Sequence, residues 1–141
     1  MKSKILIVED HPIFKMGLCE LVSREADLRI CGSAEDVAEA RTIIDMEKPD
    51  LVIIDLSLKN SNGMVLIKEL NTHHKEISVL VLSMHEEAYY AERCLLAGAK
   101  GYLNRSSKSP PFGWGKGDWL RRSRMGMAVK AAHCYPYMKL L

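Results

Sequence analysis

The stretch LVIIDLSL, residues 51–58, carries the strongest structural signal in the chain. Residues 51–54 are all apolar, which is typical of a strand buried on both faces of a parallel sheet. The next residue is a carboxylate, Asp55. In open parallel sheets ligands bind beyond the carboxyl ends of the strands, so a buried strand that ends on a charge indicates a site there.

Four more short apolar segments surround this one along the chain. Strands are predicted at 4–8, 28–32, 77–83 and 100–104, in addition to 51–54. Helical patterns lie between them, from about Pro12, over 34–48, over 64–74 and over 86–98. Strands that alternate with helices five times predict a doubly wound α/β fold, with a five-stranded parallel sheet in the order 2-1-3-4-5.

Acidic residues follow the two strands that meet where the winding of this sheet reverses. Glu9 and Asp10 follow the first strand and Asp55 follows the third. Taken alone, Glu9 or Asp10 is more simply a solvated loop carboxylate, but three carboxylates at adjoining strand ends repel one another unless a cation neutralises them. Mg²⁺ prefers oxygen ligands and suits such a shallow cluster. With a metal screening the charge, Asp55 could attack phosphorus and become an acyl phosphate.

Four motifs carry a family resemblance: VEDHP, LVIIDLSLKNSNG, VLVLS and LLAGAKGYLNR. Together they resemble the receiver domain of bacterial two-component response regulators, over residues 4 to about 105. The details EDHP, LVLSMHEE and AGAKGYL are most similar to the NarL/LuxR-type subfamily, whose receivers usually precede a helix-turn-helix DNA-binding domain.

The resemblance implies a role for each residue of the acidic site. Asp55 is expected to be phosphorylated by a partner histidine kinase. Asp10, Asp55 and the backbone carbonyl of Ser57 are expected to coordinate Mg²⁺, with Glu9 acting mainly through water. Gly63 lies eight residues after Asp55, as in the family pattern.

The resemblance also implies a switch, and here the sequence departs from the family. Ser83 is expected to hydrogen-bond the phosphoryl group, and Tyr102 to swing inward when Ser83 moves. Arg105 stands where the family has a phosphate-contacting Lys, and its planar guanidinium is not equivalent to an ammonium. Leu58 and Lys59 stand where the family usually has Met-Pro, which we interpret as surface variation.

The tail, residues 106–141, differs in composition from the rest. It has 7 Lys/Arg and 1 Asp/Glu, a net +6, whereas residues 1–105 have 13 and 17, a net −4. Pro110 and Pro111 interrupt the expected last helix, although one could begin after Asp118. A divergent last helix and an altered reading frame both account for this atypical basic tail. Its arginines fit a solvated helix face better than a DNA-binding surface, since no complete helix-turn-helix is present.

Size and composition restrict the remaining possibilities. The 141 residues, 48% apolar, suit one domain, and no apolar run approaches the roughly 20 residues that span a bilayer. The four cysteines form no CxxC or zinc-type cluster, so reduced thiols in a cytoplasmic protein are expected. Expected partners are a sensor histidine kinase, a second copy of the chain in a homodimer, and DNA only through an output domain not evident in this sequence.

Three competing functions use the same features. An Asp-nucleophile phosphohydrolase would need an acid two residues after Asp55, where Ser57 stands. A flavin-binding module would need more phosphate-cradling hydroxyls and glycines than LSLKNSNG supplies. The third is the N-terminal part of a LuxR-type DNA-binding regulator, which differs from an isolated receiver only in whether an output domain follows.

Overall fold

The computed structural model describes residues 3–24, 26, 28–56, 58–83 and 88–104. The strands are β1 (Ser3–Val8), β2 (Leu28–Ala34), β3 (Leu51–Asp55), β4 (Ser78–Ser83) and β5 (Gly101–Asn104). The helices are α1 (Pro12–Ser23), α2 (Val37–Glu47), α3 (Gly63–His73) and α4 (Ala88–Leu96). Among these residues, no helix has the length and apolar character needed to cross a membrane.

The five strands form one parallel sheet in the order β2-β1-β3-β4-β5, which confirms the predicted fold. β1, β4 and β5 begin one residue away from the prediction, and two carboxyl ends differ from it. β2 continues to Ala34, because its register against β1 shifts between Ile5 and Leu6 and pairing then resumes. β3 includes Asp55, which pairs with Leu82 of β4. The phosphoacceptor candidate is therefore the last residue of the strand and not the first residue of the loop.

The sheet separates two apolar cores, which explains why its central strands carry apolar residues on both faces. Val52 and Ile54 of β3 pack in the core that contains buried residues of α2, α3 and α4. Leu51 and Ile53 face the opposite core, which contains Leu18 and Val22 of α1. Alternate side chains of one strand therefore enter different cores, as the period-2 geometry of a strand requires.

Helix ends follow local sequence signals. Asp36 caps α2 by accepting a hydrogen bond from the Glu39 backbone N–H at 2.8 Å. α2 ends at Lys48, which has a left-handed backbone (φ 47°), just before Pro49. α4 is followed by Gly98, whose φ of 118° favours glycine. Burial raises the pKa of the Cys94 thiol of α4 to about 11, so this cysteine is a protonated core residue.

Candidate functional site

The candidate site lies at the carboxyl ends of β1 and β3, where the winding of the sheet reverses. Val8 pairs with Ile54, so the residues that follow these two strands lie next to each other. Glu9 and Asp55 are each only 1% exposed, although both are acidic. Ser83 ends β4 at the same edge and pairs with Asn104 of β5. The sequence therefore placed these residues at the correct edge of the sheet.

Three carboxylates and one imidazole converge at this edge. Glu9, Asp10, His11 and Asp55 each offer a ligand atom, and these four atoms lie within 4.8 Å of one another. The Asp10 side chain is 13% exposed. Its Oδ2 accepts a hydrogen bond from the Lys59 backbone N–H at 2.8 Å. Its Oδ1 is buried and makes no hydrogen bond to any described residue, although Nδ1 of His11 lies 3.3 Å away.

His11 was given no role by the sequence analysis, yet it belongs to this cluster. Its Nδ1 lies 3.3 Å from Oε1 of Glu9 and 3.3 Å from Oδ1 of Asp10. The His11 backbone N–H donates to Oε1 of Glu9 at 3.2 Å, and its carbonyl accepts from the Lys15 N–H at 2.9 Å in the first turn of α1. The position of His11 in the sequence could have indicated this. It lies directly between the acidic pair and Pro12, which begins α1, so it had to lie beside the site.

The loop from β3 to α3 folds back over the cluster. The Lys59 N–H reaches Asp10, while the Ser61 hydroxyl accepts from the Val37 N–H at 3.0 Å. Asn62 caps α3 by accepting from the Met64 N–H at 3.0 Å. A Cβ at Gly63 would lie 3.2 Å from the Asp55 carbonyl oxygen, so glycine permits α3 to begin close to the phosphoacceptor candidate.

The interpretation of Leu58 and Lys59 as surface variation is correct for Lys59 and wrong for Leu58. Lys59 is exposed, but Leu58 is 8% exposed and belongs to the core cluster beneath the loop. The error arose because period and polarity do not show which residue of an irregular loop turns inward. Burying Leu58 anchors the loop that carries the Lys59 N–H to Asp10.

The remaining candidate residues differ in what the structure describes. Tyr102 is fully buried, in the same core cluster as Cys94 and Ala99. Ser83 is described only as the strand-end residue of β4. Ser57 and Arg105 lie outside the described residues, as does the tail, so their expected roles stay predictions.

The cluster fits a hard divalent cation on the chemistry of its donors. Carboxylate oxygens are the ligands that Mg²⁺ prefers, and Oδ1 of Asp10 is a buried acceptor that a cation would satisfy. Closely spaced acids of this kind are also stabilised when a positive charge is held between them. The residues present therefore suit Mg²⁺, and Asp55 is near enough to interact with the same ion.

A parallel doubly wound sheet with a carboxylate cluster at its switch point defines a class of α/β ligand-binding and signalling modules. A model of one family in this class, described as the response regulator receiver domain, matches residues 5–110. The chain belongs to this family.

Similar proteins agree with the assignment. The chain is 29% identical over 102 residues to the transcriptional regulatory protein DegU of Brevibacillus brevis, covering 72% of this chain and 43% of DegU. It is 30% identical over 105 residues to the DNA-binding transcriptional activator DevR/DosR of Mycobacterium tuberculosis, covering 74% of this chain and 48% of the relative. The chain thus spans about half the length of these curated relatives.

Solved structures share the fold. A LuxR-family two-component response regulator from Aurantimonas sp. SI85-9A1 superposes with a TM-score of 0.73 at 22% identity, with all of both chains covered. The isolated receiver domain of RcsB from Salmonella enterica serovar Typhimurium, solved with the phosphomimetic BeF3-, gives a TM-score of 0.70 at 23% identity and covers 76% of this chain and 80% of that one. These matches confirm the receiver fold expected from the sequence.

Proposed function

We propose that Asp55 is the phosphoacceptor of this receiver domain and takes its phosphoryl group from a phosphohistidine of a sensor histidine kinase. The observation that carries the proposal is the position of Asp55, a carboxylate 1% exposed at the end of β3, with ligand atoms of two further acids within 4.8 Å. Burying an acid beside two other acids lowers the stability of the fold, and a functional role explains best why this arrangement is present.

The metal ligands we propose are Asp10, Asp55 and the backbone carbonyl of Ser57, with Glu9 acting through water. The buried Oδ1 of Asp10 supports this assignment. Bound Mg²⁺ would neutralise charge on the phosphoryl oxygens during transfer. The Lys59 N–H holds the other Asp10 oxygen, so the orientation of this carboxylate is fixed before any ion binds.

In the proposed reaction, a carboxylate oxygen of Asp55 forms a bond to phosphorus as the phosphorus–nitrogen bond of phosphohistidine breaks. The imidazole of the kinase leaves with the electron pair of that bond, as neutral imidazole because its other ring nitrogen carries the proton, and Asp55 becomes an acyl phosphate. The domain is in this proposal a signalling module that supplies the groups for its own phosphorylation and dephosphorylation.

The response to phosphorylation is proposed to run through Ser83, Tyr102 and Arg105. A dianionic group on Asp55 would attract the Ser83 hydroxyl and the Arg105 guanidinium. Because Tyr102 fills space in the core, any change in its ring position would alter packing against α4. The family resemblance and the common sheet edge of Ser83 and Asp55 support this route.

Output to DNA is a second proposal, which concerns the protein beyond the receiver. We infer that residues 1–105 form the receiver core and that the domain works as the N-terminal part of a DNA-binding transcriptional regulator. The name of DevR/DosR and the coverage of about half of each relative support this inference. Sequencing the source locus past codon 105 in all frames tests it, and a helix-turn-helix coding segment is the expected result.

Labelling from a small phosphodonor tests the main proposal. Acetyl phosphate with Mg²⁺ should phosphorylate the wild type, and Asp55→Asn should abolish labelling because it removes the nucleophile. Asp45→Asn, at an exposed position on α2, is the matched control and should label normally. Labelling of Asp55→Asn at the wild-type level would overturn the assignment of Asp55.

A further inference from the structure

We propose that His11 is an additional ligand of the cation site, through Nδ1, and that the site therefore binds divalent transition-metal ions such as Co²⁺, Ni²⁺ and Cu²⁺ with a nitrogen ligand that Mg²⁺ does not need. The inference rests on the proposed metal site at Asp10 and Asp55. It adds a residue of this chain and a metal preference to that site.

The spacing of the ligand atoms is the first observation. Nδ1 of His11 lies 3.3 Å from Oε1 of Glu9 and 3.3 Å from Oδ1 of Asp10. Neighbouring ligands of a six-coordinate ion with bonds of about 2.1 Å are about 3 Å apart, since they meet at right angles. The imidazole nitrogen and Oδ1 of Asp10, the direct carboxylate ligand, therefore lie at nearly the separation that adjacent ligands of one ion require.

The burial of these atoms is the second observation. Nδ1 of His11 and Oδ1 of Asp10 are both buried, and neither makes a hydrogen bond to a described residue. The His11 side chain as a whole is 43% exposed, so its Nδ1 edge is turned toward the cluster while other ring atoms face solvent. A cation between the two atoms would satisfy both at once.

The ring of His11 is also held in place by its surroundings. Its backbone N–H donates to Oε1 of Glu9, and the ring meets Phe14 edge-on, with centroids 5.4 Å apart and planes at 61°. A ligand held in this way loses little side-chain freedom when an ion binds. The geometry thus favours a preformed nitrogen ligand.

The chemistry of imidazole determines which ions would bind more tightly when His11 is a ligand. Neutral imidazole suits the later transition ions such as Ni²⁺ and Cu²⁺, whereas carboxylate and carbonyl oxygens suit Mg²⁺ and Mn²⁺. Mg²⁺ can leave His11 unused and keep water in its place. The ligand role therefore predicts a selective effect of His11 on transition ions. If His11 were only a counter-ion to the carboxylates, its removal would change the affinity for all divalent ions alike.

The test compares dissociation constants for Mg²⁺ and Co²⁺ at one fixed pH in the full chain, by calorimetric titration. His11→Ala should weaken Co²⁺ binding by at least roughly tenfold, the usual scale for losing a supporting group at a metal site, and change Mg²⁺ binding far less. The variant His73→Ala/His74→Ala removes two histidines at the end of α3, away from the cluster, and should leave both constants unchanged. Circular dichroism checks that each variant is folded.

Pulsed electron paramagnetic resonance of bound Cu²⁺ gives a spectroscopic readout of a nitrogen ligand. The wild type should show coupling to a directly coordinated ¹⁴N nucleus, and His11→Ala should lose it. Absence of that coupling in the wild type, or equal changes in Mg²⁺ and Co²⁺ affinity in His11→Ala, would overturn the ligand role. A wrong assignment of the metal site itself would be seen separately. In that case Asp10→Ala would bind Mg²⁺ as tightly as the wild type.

Discussion

The two carboxylate oxygens of Asp10 have different surroundings, so one oxygen orients the side chain and the other can bind a cation. Oδ2 is held by the Lys59 N–H at 2.8 Å, while Oδ1 is buried without a hydrogen bond from the described residues. The sequence predicted the acids, because they follow buried strands at a known edge. It did not predict the Lys59 N–H or His11 as neighbours, because backbone groups carry no sequence signal and the path of a loop is not periodic.

The backbone N–H of Lys59 can be removed by a single substitution that leaves Asp10 itself in place. Lys59→Pro deletes the donor to Asp10, and the family usually has Pro here, so the backbone is expected to accept it. We predict that Mg²⁺ affinity falls by roughly tenfold, because Asp10 loses the contact that orients it. Calorimetric titration measures the change.

Lys59→Ala is the matched control, because it removes the ammonium group and keeps the N–H. It should bind Mg²⁺ within about twofold of the wild type, since an exposed charge is screened by solvent. Equal affinities for the Pro and Ala variants would show that the N–H does not position Asp10.

At the scale of elements, the kind and order of each strand and helix could be predicted, but several ends could not. The apolar runs at 51–54 and 77–83 are visible in the sequence, and Pro12 marks the start of α1. The extension of β2 to Ala34 depends on a register shift against β1, which only tertiary pairing decides. Asp55 belongs to β3 for the same reason, since its partner is Leu82 of β4.

Gly98 allows the chain to turn from α4 toward β5. Its φ is 118°, and a Cβ built there would clash with the side chain of Asn71. We predict that Gly98→Ala lowers the free energy of unfolding by about 1–3 kcal/mol, through backbone strain and this clash. Urea unfolding followed by circular dichroism measures the loss.

The same substitution in an Asn71→Gly background, compared with Asn71→Gly alone, separates the two causes, because an alanine at 71 would keep the Cβ that the added one also meets. Truncating Asn71 should recover the part of the loss due to the clash, while the backbone strain at residue 98 persists. An unfolding midpoint of Gly98→Ala equal to that of the wild type would contradict the requirement for glycine.

At the scale of the whole molecule, the sheet order brings distant parts of the sequence together. Glu9 and Asp55 are 46 positions apart, yet they meet because β1 and β3 are neighbours in the order β2-β1-β3-β4-β5. This juxtaposition could be predicted, because right-handed crossovers restrict the sheet to few arrangements. The burial of Leu58 could not, because it depends on how the loop packs on the finished core.

The central claim is that Asp55 itself becomes an acyl phosphate, and chemical trapping tests it most directly. The full chain is treated with acetyl phosphate and Mg²⁺, reduced with borohydride, which converts an aspartyl phosphate to homoserine, and mapped by peptide mass spectrometry. We predict homoserine at position 55 and none at positions 10 or 45, with no conversion when the phosphodonor is omitted. Homoserine at another aspartate, with Asp55 unmodified, would contradict the account.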